Sequence, residues 1–392
     1  MQVTSLPSFW QSRWQEQQFK EPTKIQEASF DLITKGESFV GVSPTGSGKT
    51  LAYLLPAMLK VTEKQRTQIL ILTATQELAM QVTEVARIWA SDLDLKVQPL
   101  IGGANIKRQI EKLKAKPEII IGTVGRVVEL AQQRKLKLNL IQTLILDEAD
   151  QLINSGKEID LLAQIMKGVD KKVQLIAFSA SGQKLPELMN KHYQRSLSLV
   201  DVTTIDDSQG KIQHGYIIWP KRQQVDALRR IAHVDSMCAL VFFNQLSDLG
   251  VAEDKLLYHQ IAVVSLASDQ NKLFRKMALT AFKEGKTTFL LTTDIAARGL
   301  DIAELPYVVN IELPANKEVY LHRAGRVGRM GHDGMVLTII EAHQVKIYQK
   351  LLAELNLKSQ EYYLHGGKII DEKPLKENSS KPKFKKKSKH KK

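Results

Sequence analysis

Three features that are common in other classes of protein are scarce or missing in this sequence of 392 residues. It has one cysteine, Cys238, so an intrachain disulfide framework is excluded and a reducing compartment fits. No apolar run approaches the roughly 18 residues that a membrane span needs. The N-terminal segment M-Q-V-T-S-L-P-S-F-W lacks a basic region followed by an apolar stretch, which argues against a signal peptide. We therefore expect a cytoplasmic protein that does not associate with membranes.

Positive charge is plentiful but unevenly distributed along the chain. There are 56 Lys and Arg against 42 Asp and Glu, which gives a net charge of +14. Residues 373–392 contain ten Lys and one Glu and so hold +9 of that charge, which leaves +5 for the other 372 residues. This segment has few apolar groups and repels itself, so we predict that it is disordered. A basic balance favours a polyanionic partner, and the segment is either a solubilising tail or a non-specific phosphate-binding one.

Short apolar runs predict the strands of parallel sheets. Each run has the length and the β-branched content of a strand that is buried on both faces, and amphipathic helical stretches such as 76–90 and 157–167 separate them. The runs form two sets, at 38–42, 68–73, 118–122, 143–147 and 174–178, and at 239–243, 261–265, 288–292, 307–311 and 335–340. Alternating strands and helices indicate an α/β fold.

A polar stretch at 201–211 separates the two sets and indicates two α/β domains of similar size joined by a linker. We predict a first domain at 1–203, a linker at 204–211, a second domain at 212–365 and a disordered Lys-rich tail at 366–392.

The segment S-P-T-G-S-G-K-T at 43–50 has the pattern of a phosphate-binding loop. It follows a predicted strand and precedes a predicted helix, as such a loop requires. Glycines let the backbone curl so that its N–H groups point at phosphate oxygens, and the helix N-terminus adds a favourable potential. Lys49 would pair with the β/γ-phosphates of a nucleotide, and Thr50 would place its hydroxyl on Mg²⁺. The other residues around the phosphates would be Thr45, Gly46, Ser47 and Gly48.

A second chemical signal is an apolar strand that ends in acids, L-I-L-D-E-A-D at 144–150. Such a run puts carboxylates at the carboxyl edge of the sheet, where open α/β sheets bind ligands. Asp147 would hold Mg²⁺, and Glu148 would orient or deprotonate the attacking water. The alternative is a solvated loop after a core strand, which the phosphate loop upstream disfavours.

The order of these motifs resembles that of the DEAD-box RNA helicase family, over roughly residues 6–345. The resemblance implies two tandem RecA-like domains with parallel sheets, ATP and Mg²⁺ as cofactors, and RNA as the partner. The segment F-K-E-P-T-K-I-Q at 19–26 is similar to the family's Q motif. This similarity implies that Gln26 hydrogen-bonds the adenine edge and that Phe19 packs on its face.

The resemblance also implies residues that couple the two domains. The segment S-A-S at 179–181 is similar to the family's S-A-T, so Ser179 would hydrogen-bond toward Asp150 and Ser181 keeps the hydroxyl of the third position. In the second domain, T-T-D-I-A-A-R-G-L-D (292–301) and H-R-A-G-R-V-G-R (322–329) match family motifs. The implied roles there are arginine fingers on the γ-phosphoryl group, Arg326 and Arg329; a link to the acidic motif, His322; a ribose contact, Asp301; and support of the closed interface, Arg298.

Positions that contact RNA in the family are mostly small residues in loops at strand ends. The implied RNA-binding residues are Thr75, Gln76, Gly103, Thr123, Gly125, Arg126, Arg275 and Thr293, with neighbours in 241–244 and at Gly102 and Gly299. Such contacts hold phosphates without reading bases. The family's P-T-R-E-L-A and T-P-G-R read A-T-Q-E-L-A and T-V-G-R here, and Lys272 stands where Gln is usual. Because Gln76 replaces an arginine, we expect weaker core binding of RNA, partly offset by the tail.

The leading hypothesis for function is an ATP-dependent RNA helicase in which ATP and single-stranded RNA close the two domains. It would separate short duplexes or remodel RNA-protein complexes, with ribosomal RNA, pre-ribosomal particles or cold-stabilised RNA as possible targets. The alternative is an ATP-gated RNA clamp that hydrolyses little. A DNA-directed motor is disfavoured by the resemblance.

Overall fold

Two seven-stranded parallel sheets organise the fold. The structure is a computed structural model, and it describes residues 1–62, 64, 66–154, 156–206, 208, 210–267, 270–297, 305–328 and 331–374. The first sheet consists of β1 (Phe39–Val42), β2 (Ile69–Thr73), β3 (Val97–Leu100), β4 (Ile119–Thr123), β5 (Thr143–Leu146), β6 (Gln174–Ser179) and β7 (Ser198–Asp201). Its strand order is β3-β4-β2-β5-β6-β1-β7.

The second sheet repeats this architecture in the other half of the chain. It consists of β8 (Ile212–Ile218), β9 (Ala239–Phe243), β10 (Val263–Leu266), β11 (Phe289–Thr293), β12 (Tyr307–Asn310), β13 (Gly334–Ile340) and β14 (Gln360–Glu361). Its order is β10-β11-β9-β12-β13-β8-β14, and a small antiparallel pair, β15 (Tyr363–His365) and β16 (Lys368–Ile370), follows it. The predicted α/β class with two parallel sheets is confirmed.

Helices cover both faces of each sheet. Those of the first half are α1 (Ser8–Glu16), α2 (Lys24–Thr34), α3 (Lys49–Leu59), α4 (Gln76–Ala90), α5 (Ile106–Leu113), α6 (Val124–Gln132), α7 (Ala149–Asn154), α8 (Gly156–Gly168) and α9 (Leu185–Tyr193). Those of the second half are α10 (Gln224–Ile231), α11 (Leu246–Tyr258), α12 (Lys272–Lys283), α13 (Asp294–Ala297), α14 (Lys317–Ala324) and α15 (Val345–Ala353). Among the described residues, no helix combines the length and the apolar character needed to cross a membrane.

Alternation along each strand builds a core on both faces of the sheet. In β2, Ile69 and Ile71 belong to the apolar cluster on one face, whereas Leu70 and Leu72 belong to the cluster on the other. All five residues of β2 are buried. This explains why the central strands read as continuous apolar runs, which is the pattern expected for a parallel sheet between two helical layers.

Strands at or near the sheet edges escape the apolar-run signal. β3 contains Pro99 and forms one edge of the first sheet, where a missing N–H removes no ladder hydrogen bond on the solvent side. β7 forms the other edge and is largely exposed. Because neither strand is a continuous buried apolar run, the sequence pattern predicted neither of them.

The start of the predicted tail differs from the structure. Residues 366–370 were expected to be disordered, yet β16 pairs with β15 through a turn at Gly366 and Gly367, whose φ values are +56° and +72°. Glycine adopts these angles without steric cost, which permits a two-residue hairpin turn. The side chains of Leu364 and Ile369 pack against the core of the second domain. The basic tail therefore begins later than predicted, and residues 375–392 lie outside the described part of the chain.

Candidate functional site

The phosphate loop leads from β1 into α3 with two glycines in left-handed conformations. Gly46 and Gly48 have φ values of +86° and +83°, which side chains with a Cβ rarely adopt. Lys49 is the first residue of α3, and its ammonium donates to the carbonyl oxygens of Ser43 at 2.8 Å and Pro44 at 2.7 Å. The lysine thus lies inside the curl of the loop, next to the N-terminus of α3, where an anion is favoured.

The serine that replaces the usual first glycine is part of the loop's internal bonding. Ser43 is fully buried, and its Oγ lies 2.7 Å from the Oγ of Ser47. Thr23 reaches the same loop from the start of α2, because its hydroxyl donates to the carbonyl of Ser47 at 2.6 Å. The hydroxyl groups of Ser43, Ser47 and Thr23 therefore hold the loop in place through hydrogen bonds.

Gln26 is positioned against this loop by α2. It is 4% exposed, its Nε2 donates to the carbonyl of Gly48 at 3.2 Å, and its Oε1 accepts from the backbone N–H of Thr23 at 3.1 Å. An amide has two N–H groups and two lone pairs on oxygen, so each amide atom can make a second hydrogen bond to a ligand. Phe19 packs edge-on against Trp14, with the ring centroids 5.2 Å apart.

The acids at the end of β5 have distinct environments. Asp147 is 4% exposed, and its carboxylate accepts from the hydroxyl of Tyr53 at 2.9 Å and from the backbone N–H of Glu148 at 3.1 Å. Burial, followed by the nearby negative charge of Glu148, raises the pKa of Asp147 to about 6. A cation bound at Asp147 would favour the ionised form of this carboxyl.

Glu148 occupies a strained backbone position. Its φ is +50°, in the left-handed region that residues with a side chain seldom adopt. Its carboxylate accepts from the Nε2 of Gln151 at 2.8 Å, one helical turn further on. Backbone strain of this kind costs of order 1 kcal/mol and concentrates at functional sites.

A hydrogen-bonded chain crosses between the two domains at Asp150. Its Oδ1 accepts from the Oγ of Ser179 at 2.6 Å, and its Oδ2 lies 3.1 Å from the Nε2 of His322 on α14 of the second domain. Burial alone would raise the pKa of Asp150, but hydrogen bonds from His322 and Ser179 lower it overall. The backbone N–H of Ser181 donates to the Oγ of Ser179 at 3.1 Å. The structure thus brings together all four residues that the resemblance implied for coupling.

Next to this chain, a partly open cavity of about 1020 Å³ lies between the domains. Thr45, Asp150 and Ser181 line it from the first domain and Gly325 from the second. A Cβ built on Gly325 would lie 2.6 Å from the side chain of Thr45, so the phosphate loop and the arginine-rich segment are in direct contact.

The arginine-rich segment contains one arginine that is bound entirely within its own domain. Arg323 is 1% exposed and donates to both carboxylate oxygens of Asp294, each at 2.7 Å. It also donates to the amide oxygens of Asn310 at 3.1 Å and Asn244 at 2.9 Å. Arg326 is 8% exposed and lines a small cavity that also includes His322. The predicted site residues Arg329 and Asp301, together with Arg298 and Gly299, lie outside the described residues.

The predicted RNA-binding residues of the first domain lie at the carboxyl edge of its sheet. Thr75 caps α4 by accepting from the backbone N–H of Leu78 at 3.1 Å, and Gln76 follows it. A Cβ on Gly102 would lie 3.2 Å from the Nε2 of Gln76, so two of the loops touch. The remaining positions are Gly103 (φ +63°), Thr123 at the end of β4, and Gly125 and Arg126 in the first turn of α6.

Two of the predicted RNA-binding arginines make contacts within the protein. Arg126 donates to Glu129 at 2.9 Å and to the carbonyl of Ala104 at 3.2 Å. Arg275 on α12 donates to the carbonyl of Ala296 at 2.5 Å, and its Nε lies 3.7 Å from Glu77 of the first domain. Thr293 ends β11, and its Oγ1 accepts from the backbone N–H of Ala296 at 3.4 Å. The carboxyl edges of the two sheets therefore meet where α12 of the second domain approaches α4 of the first.

Comparison with known proteins identifies the family. A family model described as DEAD/DEAH box helicase matches residues 23–188, and one described as helicase conserved C-terminal domain matches residues 223–331. The chain is 38% identical to the probable ATP-dependent RNA helicase YfmL of Bacillus subtilis, over 92% of this chain and 96% of that protein. The chain belongs to the DEAD-box family of ATP-dependent RNA helicases.

Further matches agree with this family over nearly the full length. The DEAD-box ATP-dependent RNA helicase CshC of Bacillus cereus is 35% identical over 97% of this chain and 98% of that protein. The structure of Saccharomyces cerevisiae Dbp5 bound to RNA and ADP BeF3 superimposes with a TM-score of 0.80 at 24% identity, covering 91% of this chain and 94% of Dbp5. The fold of this DEAD-box helicase is therefore a tandem pair of RecA-like domains, as the sequence resemblance implied.

Several residues of this helicase site were not predicted from sequence. They are Tyr53 beside Asp147, Gln151 beside Glu148, Thr23 below the loop and the Arg323–Asp294 pair. Thr23 lies within the Q motif and Arg323 within the arginine-rich segment, so the motifs that supply other site residues contain these two as well. Tyr53 gave no chemical signal, because its hydroxyl meets Asp147 only through the packing of α3 on β5.

Proposed function

We propose that this DEAD-box helicase uses RNA-stimulated ATP hydrolysis to separate short RNA duplexes or to remodel RNA-protein complexes. The observation that carries the proposal is the chain Ser179–Asp150–His322, which joins the end of a strand in one domain to α14 in the other. Because this link exists only when the domains are together, it supports a cycle in which closure completes the active site.

The proposed ATP site distributes its charges over both domains. Lys49 and the N–H groups at the start of α3 hold the phosphates, Glu148 orients or deprotonates the attacking water, and Arg326 and Arg329 stabilise charge on the γ-phosphoryl oxygens. Gln26 and Phe19 hold the adenine, and Asp301 contacts the ribose. Neither domain alone has both the general base and the arginines, which accounts for the need to close.

Mg²⁺ fits the donor set of this site. Asp147 offers a carboxylate at the end of β5, and Thr50 offers a hydroxyl in the first turn of α3. No group of three or more His, Cys, Asp and Glu side chains that could hold a metal occurs among the described residues. Mg²⁺ is commonly bound by one or two protein ligands together with nucleotide phosphates, so these two residues suffice if the ion arrives with ATP. When bound, the ion would neutralise charge on the phosphate oxygens.

The proposed RNA contacts are largely independent of base sequence. Small residues and helix N-termini at the two sheet edges suit phosphates and 2′-hydroxyl groups. Contacts of this kind, together with a tail that carries +9, support binding of RNA without selection for sequence. The targets that we propose, from the resemblance to the family, are ribosomal RNA, pre-ribosomal particles or cold-stabilised RNA in the cytoplasm.

The proposal is tested by ATPase assays on Glu148→Gln with and without single-stranded RNA. We expect wild type to be stimulated by RNA, and we expect the variant to lose roughly 100- to 10,000-fold in turnover while it still binds ATP, since the general base is gone. Glu16→Gln, a change of the same kind at an exposed position on α1, serves as the matched control. Equal and low turnover for wild type and Glu148→Gln would instead favour the ATP-gated RNA clamp.

A further inference from the structure

Exposed apolar side chains gather at one edge of the second sheet. Strands β10, β11 and β9 are neighbours in the sheet, and α12, α13 and α11 follow their carboxyl ends. These three helices carry large apolar side chains that are exposed at or near their starts: Leu273, Phe274, Met277, Ile295 and Leu246. We call the first four of these residues the edge patch.

The edge patch faces solvent because α12 buries its opposite side. Ala278 and Phe282 are 8% and 2% exposed and belong to the core. Leu273 and Met277, on the other side of the helix, are 62% and 58% exposed, and Phe274, between the two sides, is 62% exposed. Residues 273, 274 and 277 are neighbours on a helical surface, since side chains three or four positions apart lie side by side. Contiguous apolar groups on a surface commonly mark an interaction site.

The edge patch adjoins the proposed RNA-binding residues of both domains. Arg275, beside Phe274 in the first turns of α12, donates to the carbonyl of Ala296, which lies three residues after Thr293. The same guanidinium approaches Glu77, the residue after Gln76. The start of α12 is therefore anchored where the RNA-facing loops of the two domains meet.

We propose that Phe274 stacks on a base of the bound RNA strand, with the rest of the edge patch forming the apolar floor around that base. This inference rests on the proposed RNA-binding function and adds a base contact to the phosphate contacts. Exposed aromatic rings and basic side chains together bind single strands without sequence preference. Helix α12 carries both, in Phe274 and the exposed Lys276. The exposed Lys276 and the continuity with the RNA-binding loops favour RNA over a protein as the occupant.

Base stacking would also compensate for the absence of an arginine at position 76. A glutamine cannot supply the charged phosphate contact that arginine makes. A stacked base contributes affinity that does not depend on charge, so part of the core affinity for RNA should resist salt.

The test measures binding of a single-stranded RNA, in the presence of a non-hydrolysable ATP analogue, to full-length wild type, Phe274→Ala and Phe274→Trp. We expect Phe274→Ala to bind roughly 5- to 150-fold more weakly and Phe274→Trp to retain wild-type affinity, because tryptophan also stacks. On an RNA that lacks the bases but keeps the ribose-phosphate backbone, wild type and Phe274→Ala should bind equally. A 2-aminopurine base in the RNA should be quenched by wild type but not by Phe274→Ala.

Tyr258→Ala is the matched control, because Tyr258 is an aromatic residue that is 85% exposed at the far end of α11. If Phe274→Ala binds RNA with the affinity of wild type, the inference is overturned. This holds even if the variant no longer binds a protein partner that wild type binds. An equal loss on intact and base-free RNA overturns it too, since the contact would then be with the backbone. If wild type shows no RNA-stimulated ATPase activity, it is the proposed function that fails.

Discussion

At the scale of single residues, a partly buried histidine supports the helix that carries His322. His214 in β8 hydrogen-bonds through Nδ1 to the hydroxyl of Tyr320 at 2.7 Å, and that hydroxyl lies 3.4 Å from the hydroxyl of Tyr348. Both tyrosines are fully buried. Burial lowers the pKa of His214 to about 4, so the imidazole is neutral in the folded protein near neutral pH.

This histidine predicts how stability depends on pH. Between the unfolded pKa of about 6.5 and the folded pKa of about 4, the unfolded state binds a proton that the folded state does not, so stability falls as the pH is lowered. We expect His214→Gln, which keeps a hydrogen-bonding amide but does not titrate, to lose roughly 2 kcal/mol less than wild type between pH 7 and pH 4.5. Urea denaturation at both pH values checks this. His259→Gln, at an exposed position, should follow wild type, and identical acid sensitivity of His214→Gln would contradict the prediction.

At the scale of elements, one side chain of α14 joins this helix to three other elements. Arg323 joins the helix to α13 through Asp294, to β12 through Asn310 and to the end of β9 through Asn244, and its guanidinium lies 5.0 Å from the ring centre of Phe242. A planar fork with five donors can make all of these contacts at once, whereas an ammonium cannot.

Arg323→Lys should therefore destabilise the second domain strongly. The substitution keeps the charge but leaves buried acceptors unpaired, so we expect a loss of order 3 kcal/mol in the free energy of unfolding. Arg229→Lys is the matched control, because Arg229 pairs with Asp226 at 2.6 Å on the half-exposed surface of α10. A surface pair contributes little, so the control should change stability by less than about 1 kcal/mol. Chemical denaturation of both variants measures the loss in the free energy of unfolding. Equally small losses in both variants would contradict the prediction.

The sequence patterns correctly predicted two helices and ten strands. The helix predicted at 76–90 is α4 with the same limits, and the helix predicted at 157–167 is α8 at Gly156–Gly168. All ten predicted strands occur, with ends shifted by up to two residues. The patterns work because burial on one or both faces imposes a regular spacing of apolar residues. They missed β3, β7 and β14, because an edge strand lacks that two-sided burial. They also missed β8 and the pair β15 and β16, which are only partly buried.

At the scale of the whole molecule, the interface between the domains leaves no room for a side chain at Gly325. Its φ is ordinary for a helix end, so alanine fits the local backbone. The obstacle is Thr45 of the other domain, which a Cβ would approach to 2.6 Å. The glycine is thus required by closure, with the carbonyl of Leu321 at 3.2 Å as the nearest contact within its own domain.

Gly325→Ala should impair closure while both domains stay folded. We expect RNA-stimulated ATPase activity to fall roughly 100-fold, because a displacement of about 1 Å misplaces the arginines. The thermal midpoint should change little. Fluorescence energy transfer between labels on the two domains, with a non-hydrolysable ATP analogue and RNA, measures closure directly. Gly250→Ala, which has open space around its Cβ on α11, is the control, and normal closure of Gly325→Ala would disprove the argument.

The basic tail adds a prediction about salt. Deleting residues 373–392 removes ten lysines. If the tail binds phosphates, the slope of log affinity against log salt should become shallower by roughly 0.7 for each lysine that pairs with single-stranded RNA. Titrations of full-length protein and residues 1–372 at several salt concentrations measure the slopes. Equal slopes would leave the tail with only a solubilising role.

The sequence by itself determined the α/β class, the order of the motifs, the family and the segments that contain Lys49 and Asp147. These features depend on local spacing and on chemistry that a short segment encodes. The resemblance also implied that His322 meets the acidic motif, which the structure places at Asp150. Only the tertiary structure decided that Gly325 touches Thr45 and that Phe274 is left exposed beside the RNA-binding loops. Such contacts join residues far apart in the chain, and they follow from how two rigid domains pack together, for which a local pattern contains no signal.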